Sequence, residues 1–406
     1  MKYLKPIFKM RAISLFSGAM GLDQGLEKAG FKICVANEIE PAFVETIRSN
    51  TKIPVIDRDI NDVTAKEIFE ITGLGRGDFD LVAGGPPCQP FSTAGAQRSI
   101  SDERGNVMLS YIRLIKDIQP KTFLLENVRG LLYARIDFVP DGFNKEDYKS
   151  VMGEKGSLIY FLYKEFEKIG YKVSFALFDS ANYGVPQKRE RILMFGSKLN
   201  HEVELPKPTH DKDGVIGKRW ITLEEALKGL KEKDMDYVEF QEKHKKYLKK
   251  LKTGQYWKHL PEKDQMRALG GSYKLQGGKT GFYRRLGWKQ PSPTLVTSPI
   301  MPATMLCHPE KLRPLSVQEY ARIQQFPDNW KIAGSIRDQY KQIGNAVPVG
   351  LGYVAGKALI NHLSGCGSCE CEHPVNTAGY RFSRYKKTDH KSFLEKLEKI
   401  SQPSLL

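Results

Sequence analysis

The stretch FDLVAGGPPCQPFS, residues 79–92, sets a cysteine directly behind a short apolar run. Residues 79–83 predict a buried strand, two glycines then allow a sharp turn, and two prolines stiffen the backbone before Cys88. A strand ending in such a turn presents its thiol at the rim of a sheet. The simplest alternative is a structural cysteine, because buried thiols usually behave as small inert hydrophobes.

Strand and helix patterns alternate on the N-terminal side of this stretch. Apolar runs at 11–16, 31–35 and 54–56 predict strands, and each is followed by a segment with helical character. Thr64 and Glu67 have the spacing of a capping box that opens one of these helices. The alternation predicts an α/β fold with a doubly wound, mostly parallel sheet.

Ligands of such sheets bind at the carboxyl ends of the strands, where three polar features coincide here. A glycine turn, Gly18-x-x-Gly21-x-x-x-Gly25, follows the first predicted strand, Glu38 the second and Asp59 the third. An acid after the second strand can accept both hydroxyls of a ribose, and one after the third can meet an adenine amino group. The glycine spacing differs from the dinucleotide fingerprint GxGxxG, and a plain strand–helix turn explains it equally well.

Two further segments carry candidate catalytic groups. Glu126 ends the predicted strand next to the one bearing Cys88, where a carboxylate can act as an acid at a bound base or simply cap a chain end. The intervening loop, residues 89–105, has the length and the glycines of a lid. Gln187, Arg189 and Arg191 face one way on an extended strand. Two guanidinium groups on one face require an anion or a carbonyl, unless the strand is simply basic and solvated.

Composition limits the class of protein. The chain has 406 residues, 40% of them hydrophobic, which favours two domains and a sizeable core. The formal net charge of +16 favours a polyanionic partner, most commonly nucleic acid. Six scattered cysteines favour a reducing cytosol, and neither a membrane-spanning segment nor a secretory signal is expected.

The region after Gly196 has a different character. No Asp or Glu occurs from Gln265 to Pro309, while basic, aromatic and glycine residues interleave there. This pattern predicts a nucleic-acid surface, since phosphates repel acids. Further on, residues 313–327 predict a helix with a Ser316–Glu319 capping box, and a final apolar helix runs through Leu363.

Six segments together resemble the DNA (cytosine-5) methyltransferase family, of the bacterial restriction–modification type. In order along the chain they are FSGAMG at 16–21, PCQ at 87–89, ENV at 126–128, QKRER at 187–191, the helix at 313–327 and GNAVP at 344–348. The first has Ala-Met where Gly-Gly or x-Gly is usual. The resemblance covers Arg11 to about Ser364 and implies a Rossmann-like catalytic domain at 1–196 and 341–365. It also implies a loop-rich target-recognition domain at 197–340, followed by a tail at 366–406.

The resemblance implies a covalent mechanism. The target cytosine leaves the duplex, and the Cys88 thiolate adds to its carbon 6. Glu126 protonates or hydrogen-bonds N3, Arg191 holds the base O2, and Arg189 supports Glu126 and the thiolate. Carbon 5 then takes the methyl group of S-adenosylmethionine, and the adduct breaks down after the C5 proton is lost.

The remaining site residues are also implied by the resemblance. Cofactor-binding positions are Phe16, Gly18, Gly21, Leu22, Glu38, Ile39, Asp59, Ile60, Pro87, Asn345 and Val347. Substrate-binding positions are Gln89, Ser92, Asn127, Gln187, Tyr273, Lys274, Arg284 and Arg285. Arginine is the usual reader of guanine, so Arg284 or Arg285 is expected to read a base, and the lysines of 243–252 to contact phosphates or merely solvate a helix.

Other expectations concern partners and alternatives. The partner is double-stranded DNA, the enzyme a cytoplasmic bacterial monomer, and a restriction endonuclease its possible functional pair. The same motifs could serve an RNA methyltransferase acting on tRNA, or a catalytically dead binding module. In the tail, Cys366, Cys369, Cys371 and His373 crowd a tetrahedral zinc, so reduced thiols on a mobile tail are favoured over a metal site.

Overall fold

A seven-stranded sheet supports the first half of the chain. The computed structural model describes residues 10–87, 106–231, 235–275, 279–365 and 381–401. The strands are β1 (Met10–Leu15), β2 (Phe31–Asn37), β3 (Val55–Ile56), β4 (Leu81–Gly84), β5 (Thr122–Val128), β6 (Lys172–Asp179), β7 (Gln187–Lys188) and β8 (Glu190–Ser197), of which β7 lies outside this sheet. Several positions singled out from the sequence lie outside the described part of the chain. They are Cys88, Gln89 and Ser92, the loop through residue 105, and the three Cys and one His of the tail at 366–373.

The strand order is β3-β2-β1-β4-β5-β8-β6. The first five strands are parallel, and β8 runs antiparallel to both β5 and β6. The predicted doubly wound, mostly parallel sheet is therefore confirmed. Apolar side chains on both faces are fully buried, as expected of a sheet covered on two sides: Ile13, Val82 and Phe123 on one face, and Ala12, Leu81 and Leu124 on the other.

Helices cover the sheet where the sequence signals place them. They are α1 (Gly21–Ala29), α2 (Pro41–Asn50), α3 (Ala65–Thr72), α4 (Asn106–Ile118) and α5 (Ser157–Lys168). Pro41 occupies the first position of α2, where a missing N–H costs nothing. The Thr64 side chain accepts the N–H of Glu67 and caps α3, as predicted.

The region after Gly196 contains little regular structure. Residues 197–340 are called the recognition region below, after their expected role. It holds β9 (His210–Asp211), β10 (Lys218–Arg219), α6 (Leu223–Leu227), α7 (Glu242–Leu248), α8 (Glu262–Leu269), β11 (Ser292–Pro293) and α9 (Val317–Ile323). The Ser316–Glu319 capping box of α9 is present. The helix is shorter than predicted because it ends at Ile323, and Gln325 has a left-handed conformation (φ 66°) that stops a further turn.

The last helices return to the sheet half. They are α10 (Ile336–Asn345) and α11 (Val349–Leu363), and α11 packs on α1 so closely that a Cβ on Gly25 would lie 2.4 Å from backbone atoms of Val349 and Tyr353. The stretch Ile336–Leu363 is long and apolar enough to cross a membrane, which the sequence analysis did not expect. It is broken between the two helices, however, and most of its apolar window is buried inside the protein.

Residues 381–401 are docked on the sheet half. Residues 381–389 run along β6, the edge strand, and lead into α12 (His390–Ser401). Backbone N–H groups of Leu177 and Asp179 donate to the carbonyls of Thr388 (3.2 Å) and Phe382 (2.8 Å). The expected mobile tail is therefore corrected for residues 381–401. Their backbone pairs with an otherwise open sheet edge, a surface that proteins commonly cover.

Candidate active site

The glycine turn after β1 is tied to the acid after β2. The Glu38 carboxylate accepts three backbone N–H groups, from Gly18 (2.8 Å), Ile39 (2.8 Å) and Glu40 (2.9 Å). Burial raises the pKa of Glu38, and these hydrogen bonds oppose the rise. A carboxylate offers about four acceptor sites. Three of these sites are taken by the backbone, and the remaining acceptor capacity is available to a ligand hydroxyl.

Two positions beside this carboxylate are open to a ligand. Ile39 is 55% exposed, which is unusual for a large apolar side chain beside a buried acid. Gly18 has φ +56°, and a Cβ there would meet nothing nearer than a carbonyl oxygen at 4.0 Å, so the turn leaves free space above its backbone. Partly exposed Phe16 precedes it. Together these features leave an accessible edge at the strand ends, with exposed and partly exposed apolar side chains beside the Glu38 carboxylate.

Other expected cofactor positions are structural supports of this edge. A Cβ on Gly21 would lie 2.2 Å from the carbonyl oxygen of Val347, so this glycine allows close packing of α1 on the chain before α11. Leu22, Ile60 and Val347 are buried in the core. Asp59 accepts the N–H of Asn61 (2.8 Å) and caps a short 3-10 turn. Among the expected positions, Pro87 and Asn345 are exposed.

Glu126, at the end of β5, is held beside Arg191 of β8. The Arg191 Nε lies 2.9 Å from the Glu126 Oε1, with the N–H directed off the hydrogen-bond line, and both side chains are nearly buried. Burial raises the pKa of Glu126, while the charges of Arg191 and Arg189 pull it down. A carboxyl with a raised pKa is suited to deliver a proton.

The turn that leads to Cys88 lies directly on this carboxyl. A Cβ on Gly85 would be 2.9 Å from the Glu126 Oε2, so only glycine fits there without displacing the acid. Asn127 donates its side-chain N–H to the carbonyl of Pro86 (3.2 Å) and accepts the N–H of Val128 (2.8 Å). Asn127 was expected to contact substrate, but its amide is turned inward and secures the turn instead.

Gln187 and Arg189 differ from their expected roles. Arg189 is fully buried and donates to the carbonyls of Leu295 (2.9 Å), Gly344 (2.8 Å) and Asn345 (3.2 Å), so carbonyls rather than Glu126 or a thiolate satisfy it. Burial lowers its pKa, as does the charge of Arg191. Gln187 is also fully buried, bonding the Leu295 N–H and the Gln324 side chain. Both residues hold the recognition region onto the sheet. Arg191 contacts Glu126 directly, whereas Arg189 supports the Glu126 carboxylate only through its charge.

The two adjacent arginines of the recognition region have different environments. Arg285 is buried, and its guanidinium donates to the carbonyls of Leu248, His308 and Lys311 at 3.0–3.1 Å and of Pro309 at 3.5 Å. Arg285 is thus a scaffold residue, which corrects its expected part in base reading. Arg284 is only partly buried, donates its Nε to the Met305 carbonyl (3.3 Å) and lines a large cleft; burial lowers its pKa to about 10.

The other two expected base contacts lie apart from this cleft lining. Lys274 is exposed, and the Tyr273 ring packs edge-on against Trp257, with ring centres 5.9 Å apart. The cleft has a volume of about 910 Å³ and lies between the β6–β8 edge and the recognition region. Its walls include residues that the sequence did not single out: Lys188, Trp220, Thr294, Arg381 and Arg384. For Arg381 and Arg384, the sequence pattern that could have indicated a role is the run of basic and aromatic residues around them in the tail.

The sheet order and the acids at the strand ends are typical of a Rossmann-like α/β fold. The structure aligns with that of a putative DNA modification methyltransferase encoded within an E. coli prophage, with TM-score 0.60, 21% identity, and 87% of this chain and 99% of that chain covered. It also aligns with S. pombe Dnmt2 methyltransferase, with TM-score 0.56, 18% identity, and coverage of 88% and 98%. At these identities the likeness establishes the fold.

Sequence comparison identifies the family. Residues 10–361 match the family of C-5 cytosine-specific DNA methylases. The chain is 37% identical over 372 residues to the type II methyltransferase M.PspPI of Psychrobacter sp. (strain TA137), covering 89% of this chain and 81% of that protein. It is 35% identical over 363 residues to M.FnuDI of Fusobacterium nucleatum, covering 87% and 95%. The chain belongs to the C-5 cytosine-specific DNA methylase family, and the predicted enzyme class is confirmed.

Proposed function

We propose that this protein methylates carbon 5 of a flipped-out cytosine within a specific DNA sequence, through a covalent adduct of Cys88. The observation that carries the proposal is the position of Glu126. Its buried carboxyl contacts Arg191 and lies directly beneath the Gly85 turn that leads to the cysteine. Gly85 precedes Cys88 by three residues, so we infer that the acid and the thiol act on one pyrimidine ring.

The acid and the thiol divide the chemistry between them. Carbon 5 of cytosine is a poor nucleophile until a thiolate adds to carbon 6 and a proton or hydrogen bond is supplied at N3. The raised pKa of Glu126 favours its acting as that proton donor. Arg191 contacts Glu126 through its Nε and so orients the acid, and it is the residue expected to hold the O2 of the base.

The strand-end edge fits S-adenosylmethionine. When bound, that cofactor supplies the electrophilic methyl group. Residues available to hold it are Glu38, which retains one acceptor site, exposed Ile39, which can cover a flat ring, and the open backbone at Gly18. Pro87 and Asn345 are exposed positions expected at the same site.

The biological setting follows from the relatives. M.PspPI and M.FnuDI are both type II methyltransferases. By analogy, we infer that this enzyme protects host DNA in a restriction–modification system, acting in the bacterial cytoplasm as a monomer paired functionally with an endonuclease. A tRNA substrate is the second candidate, and the family match to DNA methylases disfavours it.

Methyl transfer and adduct trapping test the proposal. Cys88→Ser is expected to lose turnover by several orders of magnitude while still binding DNA, because an alcohol is a far weaker nucleophile. DNA carrying 5-fluorocytosine is expected to trap the wild-type protein covalently. Cys34→Ser is the control, since Cys34 lies half-buried on β2. Activity of Cys88→Ser near that of the parent, or methylation of tRNA in preference to duplex DNA, would refute the assignment.

A further inference from the structure

The docked segment, residues 381–389, lies beyond the family match, which ends at residue 361. It is nevertheless fixed to the catalytic half. Besides the two backbone bonds to β6, the Asn182 side chain donates to the carbonyls of Arg381 (3.2 Å) and Phe382 (3.3 Å). The Phe382 ring packs against Phe178 with centres 5.3 Å apart. The segment therefore has a defined position at the wall of the cleft.

Two arginines of the docked segment line that cleft. Arg381 and Arg384 are exposed, while Ser383 between them is buried. The Arg384 Nε contacts the Glu190 Oε1 at 3.0 Å, and 70% of its side chain remains accessible. Glu190 directly precedes Arg191 on β8 and also binds Arg129 (3.0 Å). The segment thus delivers positive charge close to the catalytic strand ends.

These two arginines decide the charge balance of the cleft. Without them its lining carries four carboxylates, Asp179, Glu190, Asp211 and Asp213, against three cations, Lys188, Lys212 and Arg284. With Arg381 and Arg384 the cations number five. A cleft with an excess of acids repels phosphate, whereas the proposed function requires the strand ends beside Glu190 and Arg191 to accept a duplex.

We propose that the docked segment is part of the DNA-binding surface, with Arg381 and Arg384 contacting backbone phosphates of the bound duplex. The proposal rests on the proposed function and adds to it a binding element outside the family domain. Both arginines act on the sugar–phosphate backbone, so they strengthen binding to every sequence and do not select the target site.

Salt-dependent binding tests the proposal. The full-length double variant Arg381→Gln/Arg384→Gln is compared with wild type and with Lys386→Gln/Lys387→Gln, which removes the same charge from exposed lysines of the same segment outside the cleft lining. Affinity for a fluorescent duplex of mixed sequence is measured across salt concentrations. Each phosphate contact contributes about 0.9 to the slope of log K against log[salt].

The arginine variant is expected to bind DNA more weakly than wild type at low salt. The magnitude of its slope of log K against log[salt] should be smaller by about 1.8. Its loss of affinity relative to wild type should therefore shrink about tenfold between about 50 and 200 mM salt. The lysine control is expected to keep a slope near wild type. Thermal unfolding confirms that each variant is folded. Should loss of the Glu190 contact destabilise the chain, Arg381→Gln alone preserves the test with a slope change of about 0.9.

Two outcomes separate the failures. If wild type methylates DNA but the arginine variant gives the same slope as wild type, or the lysine control loses as much, the docked segment is only a structural cover for β6. If wild type neither binds nor methylates duplex DNA, the proposed function itself fails.

Discussion

The sheet half and the recognition region satisfy their backbones by different means. In the sheet half, carbonyls and N–H groups pair along seven strands. In the recognition region the described strands are two residues long, and side chains take over the pairing. Arg285 alone binds four carbonyls there, and Arg189 binds three at its border with the sheet.

This difference changes what a buried charge means in each region. Near the strand ends, buried acids such as Glu38 and Glu126 face the site and have raised pKa values. In the recognition region, a buried arginine such as Arg285 donates hydrogen bonds to several backbone carbonyls of irregular segments, because its planar guanidinium carries five N–H donors. An arginine in a basic loop is therefore evidence for nucleic-acid contact only when its side chain is not needed to satisfy carbonyls.

The largest effect is expected at Glu126. Glu126→Gln keeps the shape but removes the transferable proton, so turnover is expected to fall by about 10²–10⁴-fold with DNA binding retained. In wild type, the turnover rate should fall as the pH rises through the pKa of this acid, because the proton donor is lost. The variant should lack this pH dependence. Steady-state methyl transfer across pH measures both effects.

Glu165→Gln is the matched control, because Glu165 is also buried but binds Tyr148 and Lys168 away from the strand ends. Its turnover is expected to stay near that of the parent. If Glu126→Gln retained parental turnover and pH profile, the acid would have to be sought outside the sheet half.

A second buried carboxyl in the sheet half should control stability instead of chemistry. Burial raises the pKa of Asp23 from 3.8 to about 7. Because the folded state prefers the neutral form, wild-type stability is fully present below pH about 3.8 and declines as pH rises to about 7. Asp23→Asn should remove this penalty, giving no gain at low pH and a gain on the order of 4 kcal/mol above pH 7, at 1.36 kcal/mol per pKa unit.

Urea unfolding at several pH values tests this, with Asp57→Asn as a control of opposite sign. The exposed Asp57 has a pKa lowered by its hydrogen bond to Arg48, so its loss should cost slightly at neutral pH. Parallel stability curves for wild type and Asp23→Asn would show that the pKa of Asp23 is not raised in the folded protein.

The third effect concerns the scaffold arginine. Arg285→Ala leaves several carbonyls of the recognition region without their donor, so the free energy of unfolding should fall by about 3 kcal/mol or more. Arg285→Lys should recover only part, because an ammonium cannot span the same fork of acceptors. Exposed Arg267→Ala should stay within about 0.5 kcal/mol of the parent. If Arg285→Ala kept its stability but altered the choice of methylation site, Arg285 would be a base-reading residue and not a scaffold residue.

Much of the sheet half was predictable because its signals are local. Alternating apolar runs gave the strands, Thr64 and Ser316 gave helix starts, and Glu126 and Glu38 are brought to one edge by topology alone. The hydrogen-bond partners of Gln187 and Arg189 were only partly predictable. The common face of the two side chains followed from strand periodicity, but their partners come from residues about 100–160 positions later.

The roles of Arg284 and Arg285 could not be separated from sequence. Adjacent residues on an extended chain point apart, which predicts different roles but not which residue has which. The choice depends on where the 305–311 chain passes, and no local pattern encodes that. The docked segment was missed for the same reason, since its partner strand lies about 200 residues earlier.

The smallest effect is expected at Arg284, the remaining candidate reader. Its bond to Met305 uses Nε, whereas guanine O6 and N7 are read by a pair of guanidinium N–H groups, so cleft-lining Arg284 retains the chemistry for reading. Arg284→Ala should reduce discrimination between cognate and altered sites by about 1–3 kcal/mol without loss of stability comparable to Arg285→Ala.

Exposed Lys274→Ala is the control and should weaken binding to all sequences alike. Relative methylation rates on a pool of single-substitution duplexes, measured by bisulfite sequencing, distinguish the two. Unchanged site choice in Arg284→Ala would show that neither arginine of this pair reads a base, and would direct the search to other residues of the cleft wall.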